Sequence, residues 1–369
     1  MPGEFDKWWK CLKKHSKRSK HWLPVARTIR ERNARPLRYF TLCARTMIDV
    51  FMFAKENILD HDDSFDRITD VVFCEYDQED QAEILSMLGV PGSGFPHKLE
   101  HLVLFEDDAY TVRFEGLQKI LQELEDQGLS MANRDRLMLK KSHIEFGEKF
   151  PFDFLNLDFC EYYYAPPGIL EINDTVEKIF ALQLGDGEDG KGNQISIDQF
   201  ILSVTCRFDQ NIHPKAFKRL EGLVRQNQKD HAAYRQAVQT SRHTSDPKRW
   251  RASDGYDFFL SAWPKDLMRA AAESGWQVRV ADFLQYDRVS ASGTAYKMVC
   301  LVAELVRKGA RQSYLTECLR VLDPASRVHI PEIPRRSLQG RQLLSDLSAI
   351  VKIRNRRARS VGGEILPDP

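Results

Sequence analysis

The sequence predicts an α/β protein: a doubly wound, mostly parallel sheet that ends in an antiparallel hairpin, with helical extensions outside it. Two patterns predict this. From residue 37 onward, short apolar runs alternate with segments of helical period, the order of successive βα units. Several of those runs, such as Val71-Val72-Phe73, are apolar without interruption, as strands covered on both faces are. A third observation sets the extensions apart. The 369 residues carry a net charge of only +1, but that charge is segregated. Residues 1–38 hold twelve Lys and Arg against three acids, a net of +9. Residues 327–359 hold nine against two, a net of +7. The body, 39–326, holds 33 against 46, a net of −13. The division that follows is a basic arm over 1–36, a sheet domain over 37–310 with a helical insertion at 210–262, and a basic extension over 311–369.

Composition excludes several classes. A hydrophobic fraction of 42% with 10% aromatics excludes disorder across the body. No stretch approaches 18 consecutive apolar residues, so no membrane partner is expected. The N-terminus lacks the apolar core and cleavage site of a secretory signal. Seven scattered cysteines without a CxxC pair fit free thiols in a reducing, cytoplasmic setting. The ten histidines show no metal-ligand spacing, and neither HExxH nor GxSxG occurs.

Taken in order, the arm reads as helical, with Trp8, Trp9, Leu12, Trp22, Leu23, Val25 and Ile29 among its cations. Two readings fit it. Lys13, Lys14, Lys17 and Arg18 clamp phosphates while tryptophan faces stack bases, or the tryptophans simply dock on the body. Leu37–Cys43 is the first expected strand, and Met47–Leu59 the helix after it. Val71–Asp77 is the second strand, turning abruptly acidic. Gln78–Leu88 follows as a helix stopped by Gly89 and Pro91, with Asp77 as its N-cap. Gly92–Pro96 is a turn, and His101–Phe105 the third strand, ending in Glu106-Asp107-Asp108. A helix over Phe114–Leu124 comes next. Phe152–Phe159 is the fourth strand, Ile172–Leu182 a helix and Gln199–Cys206 the fifth strand. The acidic, glycine-rich run Gly185–Asn193 lacks EF-hand spacing and reads as a loop. Pro264–Ser274 is a helix, stopped by Gly275. A strand then begins at Trp276–Val280, and the run Tyr296–Val306 pairs back against it.

Five βα units, a helix and a final antiparallel hairpin resemble the class I S-adenosylmethionine-dependent methyltransferases over about 37–308. In an open parallel sheet, ligands bind outside the carboxyl ends of the strands. The resemblance therefore implies S-adenosylmethionine as cofactor and assigns positions to it. Glu75, at the end of strand two, would hold the ribose hydroxyls. Asp107 or Asp108, after strand three, would meet the adenine. The turn Cys43-Ala44-Arg45-Thr46 would approach the methionine moiety, and here the sequence departs from the family, whose first turn is glycine-rich. Asn156 and Asp158, two apart on strand four and so on one face, would orient the acceptor or move its proton. The string Asn156-Leu157-Asp158-Phe159 resembles the Asp-Pro-aromatic site of tRNA guanine methyltransferases without its proline. Tyr162, first of three tyrosines, would stack a base, or the trio packs beneath the next helix. The expected partner is nucleic acid, RNA before DNA, bound through the basic ends. The alternative is an inactive fold that binds nucleic acid or a protein partner.

Overall fold

The computed structural model describes residues 12–42, 46–90, 93–104, 131–164, 172–185, 187–188, 194–208, 214–289, 295–307 and 314–367. Its N-terminal arm is one helical rod: α1 (Leu12–Lys17), a π-helical segment (Arg18–Trp22) and α2 (Leu23–Asn33). Then come β1 (Tyr39–Thr41), α3 (Ile48–Lys55), β2 (Val71–Cys74), α4 (Gln78–Leu88), β3 (Gly94–Phe95), α5 (Leu99–Val103) and α6 (Met131–Glu148). The middle of the chain forms β4 (Phe154–Tyr162), α7 (Ile172–Leu182), a small hairpin of β5 (Gly187–Glu188) and β6 (Gln194–Ile195), and β7 (Gln199–Phe208). Four helices follow: α8 (Pro214–Asp230), α9 (Ala232–Arg242), α10 (Pro247–Ser253) and α11 (Gly255–Glu273). The chain closes with β8 (Trp276–Val289), β9 (Ala295–Arg307), α12 (Tyr314–Leu322), β10 (Arg327–His329) and α13 (Leu338–Val361).

Eight strands make one sheet in the order β10-β8-β9-β7-β4-β1-β2-β3. Every neighbouring pair is parallel except β7 with β9 and β8 with β9, so β9 alone is reversed. The α/β class and the closing hairpin therefore stand as the sequence predicts. Both faces are covered. Alternate residues along each strand point to opposite sides. Phe40, Leu155, Leu157 and Val204 enter one core, with residues of α7, α8, α11 and α12. Tyr39, Phe154 and Ile201 enter the other, with residues of α1, α2, α3, α4 and α13.

Three expectations are corrected. His101–Val103 belongs to α5, and the third strand is the two-residue β3, inside the run expected to be a turn. Gly94 suits that place: a Cβ there would lie 2.5 Å from the Phe73 ring. The helix expected from Pro264 begins nine residues earlier, at Gly255, capped by Asp254 accepting from the Asp257 backbone N–H. The basic ends do not stand apart from the body. Asp153, fully buried before β4, accepts from Asn33 Nδ2, both terminal nitrogens of Arg35 and the Arg38 backbone N–H. That bidentate, charge-assisted clamp fixes the end of α2 at the amino edge of the sheet. At the other terminus, α13 packs against α3, α1 and α4. Its Arg357 donates to the Ser86 and Met87 carbonyls in the last turn of α4, where a cation is favoured. The expected helix at Phe114–Leu124 lies outside the described residues.

Candidate functional site

The carboxyl ends of β1, β4 and β7 meet on the face that carries the arm. Thr41 pairs with Asn156, Asn156 with Ser203 and Asp158 with Thr205 across the sheet. Asn156 and Asp158 thus share one face, as expected. The carboxylate of Asp49, in the first turn of α3, organises the space between them. Its Oδ2 accepts from Tyr39 Oη (2.7 Å), Thr41 Oγ1 (3.2 Å) and Asn156 Nδ2 (3.3 Å). Asn156 Nδ2 also donates to Thr41 Oγ1 at 3.0 Å. This fixes the orientation of the Asn156 amide, because the flipped form would set its oxygen against the Asp49 carboxylate. Asn156 Oδ1 is left buried and without a partner. Burial, followed by the charge of Asp49, pushes the Tyr39 hydroxyl well above the ordinary tyrosine range.

The arm lies directly over this centre. Lys14 Nζ is 2.6 Å from Asp158 Oδ2. Lys17 is fully buried and donates to Thr205 Oγ1 at 3.0 Å, with its ammonium 4.5 Å from the Trp22 ring centroid. Arg18 lies 3.7 Å from Asp49 Oδ1, and Lys13 lies 2.5 Å from Glu332. In this fold the four cations expected to clamp phosphates face groups of the protein itself. Net charge could not reveal this, since it does not say which anion is the counter-ion.

The pairing sets the acidity of both sides. Burial opposes ionisation of Asp158, but Lys14 and Lys17 outweigh it and hold the carboxyl well below the usual carboxylate range. Such a carboxylate is a poor proton acceptor at neutral pH. Burial lowers the Lys17 ammonium, with Cys300 and Asp158 acting against the shift.

The end of β2 is different. Glu75 is half-buried, and its Oε1 accepts from the Asp77 backbone N–H at 3.0 Å. Burial, with Asp80 and Asp77 adding to it, raises its carboxyl. Asp77 caps α4 by accepting from the Glu79 and Asp80 backbone N–H groups, as expected. Between them Tyr76 is 66% exposed, with the Lys98 ammonium 5.5 Å from its ring centroid. Thr46 lies in the turn before α3 and is half-buried. Cys43, Ala44, Arg45, Asp107 and Asp108 lie outside the described residues, as does the side chain of Tyr162. Tyr163 and Tyr164 are buried, with rings against Trp263 and Phe259 of α11, not against the next helix in the chain as the packing alternative had it.

Sequence reasoning missed Asp49. Its signal was one carboxylate within Ile48-Asp49-Val50-Phe51-Met52-Phe53, where a charge needs a partner to be buried. Among the described residues no cluster of side chains is suited to a metal ion, and no helix is long and apolar enough to cross a membrane. The chain matches no family model, no curated protein and no solved structure.

Proposed function

We propose that the protein is a methyltransferase-like enzyme that moves a methyl group from S-adenosylmethionine to a nucleic acid, RNA rather than DNA. The observation that carries this reading is the place of Glu75 in the sheet. It sits at the carboxyl end of β2, beside β1, in a mostly parallel sheet in which β9 alone is reversed, between β7 and β8. The Glu75 carboxylate is anchored by the backbone N–H groups of Asp77 and Tyr76, and its remaining lone pairs would accept from paired ribose hydroxyls. The exposed ring of Tyr76 stands next to it. This donor and acceptor set fits a nucleoside. S-adenosylmethionine supplies an electrophilic methyl group. The chain's own residues bind, orient and exclude water: Glu75 at the ribose, the 43–46 turn at the methionine end, and Asn156 at the acceptor. Asn156 Oδ1, with its amide orientation fixed by Thr41 and Asp49, is ready to accept a hydrogen bond from the acceptor's N–H or O–H. Asp158 adds negative charge beside it.

Support for the polyanion comes from α13. Arg341, Lys352, Arg356 and Arg359 are exposed and fall within about 60° of arc at 100° per residue, along about 27 Å of helix. RNA is preferred because Asn156–Phe159 resembles the tRNA guanine methyltransferase site. Incubation with methyl-labelled cofactor and total RNA tests the reading: label in RNA is expected, and label in neither RNA nor DNA would refute it. One observation favours a second reading, a non-catalytic nucleic-acid binding module. Asn156 and Asp158 lie beneath the arm, away from solvent. RNA binding that falls steeply with salt, without any cofactor binding, would establish that reading instead.

A further inference from the structure

The two halves of the arm are held in different ways. α2 is fixed by the Asp153 clamp, and its Leu23, Ala26 and Ile29 are buried in the core. α1 buries Leu12, His15, Ser16 and Lys17, so only one of its buried side chains is apolar. Apart from Leu12 in the core, its hold on the body is through its lysines: Lys13 to Glu332 and the Asp287 carbonyl, Lys14 to Asp158, and Lys17 to Thr205. Between the halves lies the π-helical segment Arg18–Trp22, a rare backbone form that is frequent at functional sites. Under this half of the arm, Arg18 Nε, Trp22 Nε1 and Asn156 Oδ1 are buried without partners. Native interiors seldom leave such atoms unsatisfied, and Arg30 Nε of α2 is left so as well, so the two halves differ in apolar burial rather than in polar satisfaction. The cover over β4 is closed. The side chain of Asp158 is 6% exposed and Asn156 is 2% exposed, so no acceptor reaches either while α1 is in place.

We propose that α1 is a charge-held strap over the end of β4, opened when the phosphates of a single-stranded nucleic acid replace Glu332 and Asp158 as counter-ions of Lys13 and Lys14. The segment Arg18–Trp22 is the hinge, Lys17 leaves Thr205 with α1, and α2 stays in place. The strand that opens the strap is then held beside the residues it uncovers, so partner binding and access to Asn156 and Asp158 are one event. The inference rests on the nucleic-acid reading above.

Hydrogen–deuterium exchange on the full chain tests it, with and without a single-stranded RNA 12-mer at a concentration shown by fluorescence anisotropy to saturate the protein. Exchange of the amides of 12–17 is expected to rise at least tenfold with RNA, while those of 23–33 do not change. Asp158→Asn and Lys14→Met, each checked for a native far-ultraviolet spectrum, are expected to raise exchange of 12–17 severalfold without RNA. If RNA binds and 12–17 stays equally or better protected, α1 is a fixed wall and the strap is refuted while the nucleic-acid reading stands. If neither variant loosens 12–17, the ion pair does not hold the segment and the strap is likewise refuted. If no RNA binds even at low salt, the nucleic-acid reading itself fails and the strap has no opener.

Discussion

The ends of strands two and four each carry a carboxylate, and their neighbours have left the two in opposite states. Glu75 stands half-open to solvent with Asp77 and Asp80 nearby, and its carboxyl is raised. Asp158 is more deeply buried, yet its carboxyl is depressed, because Lys14 and Lys17 come down upon it from the arm. Desolvation acts the same way at both places; the charge of the neighbours decides the sign. The end of strand two is built from local residues and stays accessible. The end of strand four is completed by residues some 140 positions earlier in the chain and is closed.

Asp49 holds the closed end together. Asp49→Ala leaves Arg18 without its carboxylate and removes the acceptor of Tyr39, Thr41 and Asn156. A loss of about 4 kcal/mol in urea unfolding is expected, and a loss below about 1 kcal/mol would show the network to be dispensable. Asp158→Asn strands Lys14 and Lys17 and is expected to cost about 3 kcal/mol at pH 7. Because its folded pKa lies below the unfolded value, the stability Asp158 contributes is present above about pH 4 and is lost as the pH falls further. Wild type and variant should therefore converge in acid.

Lys265 is buried on the opposite face of the sheet. It donates to the Leu223 carbonyl, forms no ion pair among the described residues, and is pushed down by burial to about 7. Between that value and the unfolded value near 10, the unfolded chain binds one more proton than the folded one. Stability should then rise with pH by about 1 kcal/mol per unit, and Lys265→Met should flatten that rise. Glu75→Gln is the mildest change. Its raised carboxyl gives stability at low pH that is lost as pH rises through the folded pKa, so at pH 7 the amide should be as stable or a few tenths of a kcal/mol more stable. A loss above about 1 kcal/mol would mean that Glu75 serves the fold rather than a ligand.

The difference between the two ends also decided what could be read from sequence. The end of strand two was legible because Val71–Asp77 carries its own pattern: an apolar run, an acidic stop, and a cap at Asp77. The closing hairpin was legible for the same reason. Strand three was not, since His101-Leu102-Val103-Leu104-Phe105 is too short an apolar run for periodicity to separate strand from helix. Nor was the closed end of strand four. Asn156 and Asp158 were found by their spacing, but their partners Lys14, Lys17, Thr41 and Asp49 come together only through the sheet order and the path of the arm. A lysine in a basic run looks the same in sequence whether it faces solvent or a buried carboxylate.

Isothermal titration of the full chain with S-adenosylmethionine, alongside Glu75→Ala, tests the central claim most directly. Saturable binding that weakens at least tenfold in the variant is predicted. No heat at millimolar cofactor, or equal binding by both proteins, would contradict the assignment of strand two's end to a nucleoside.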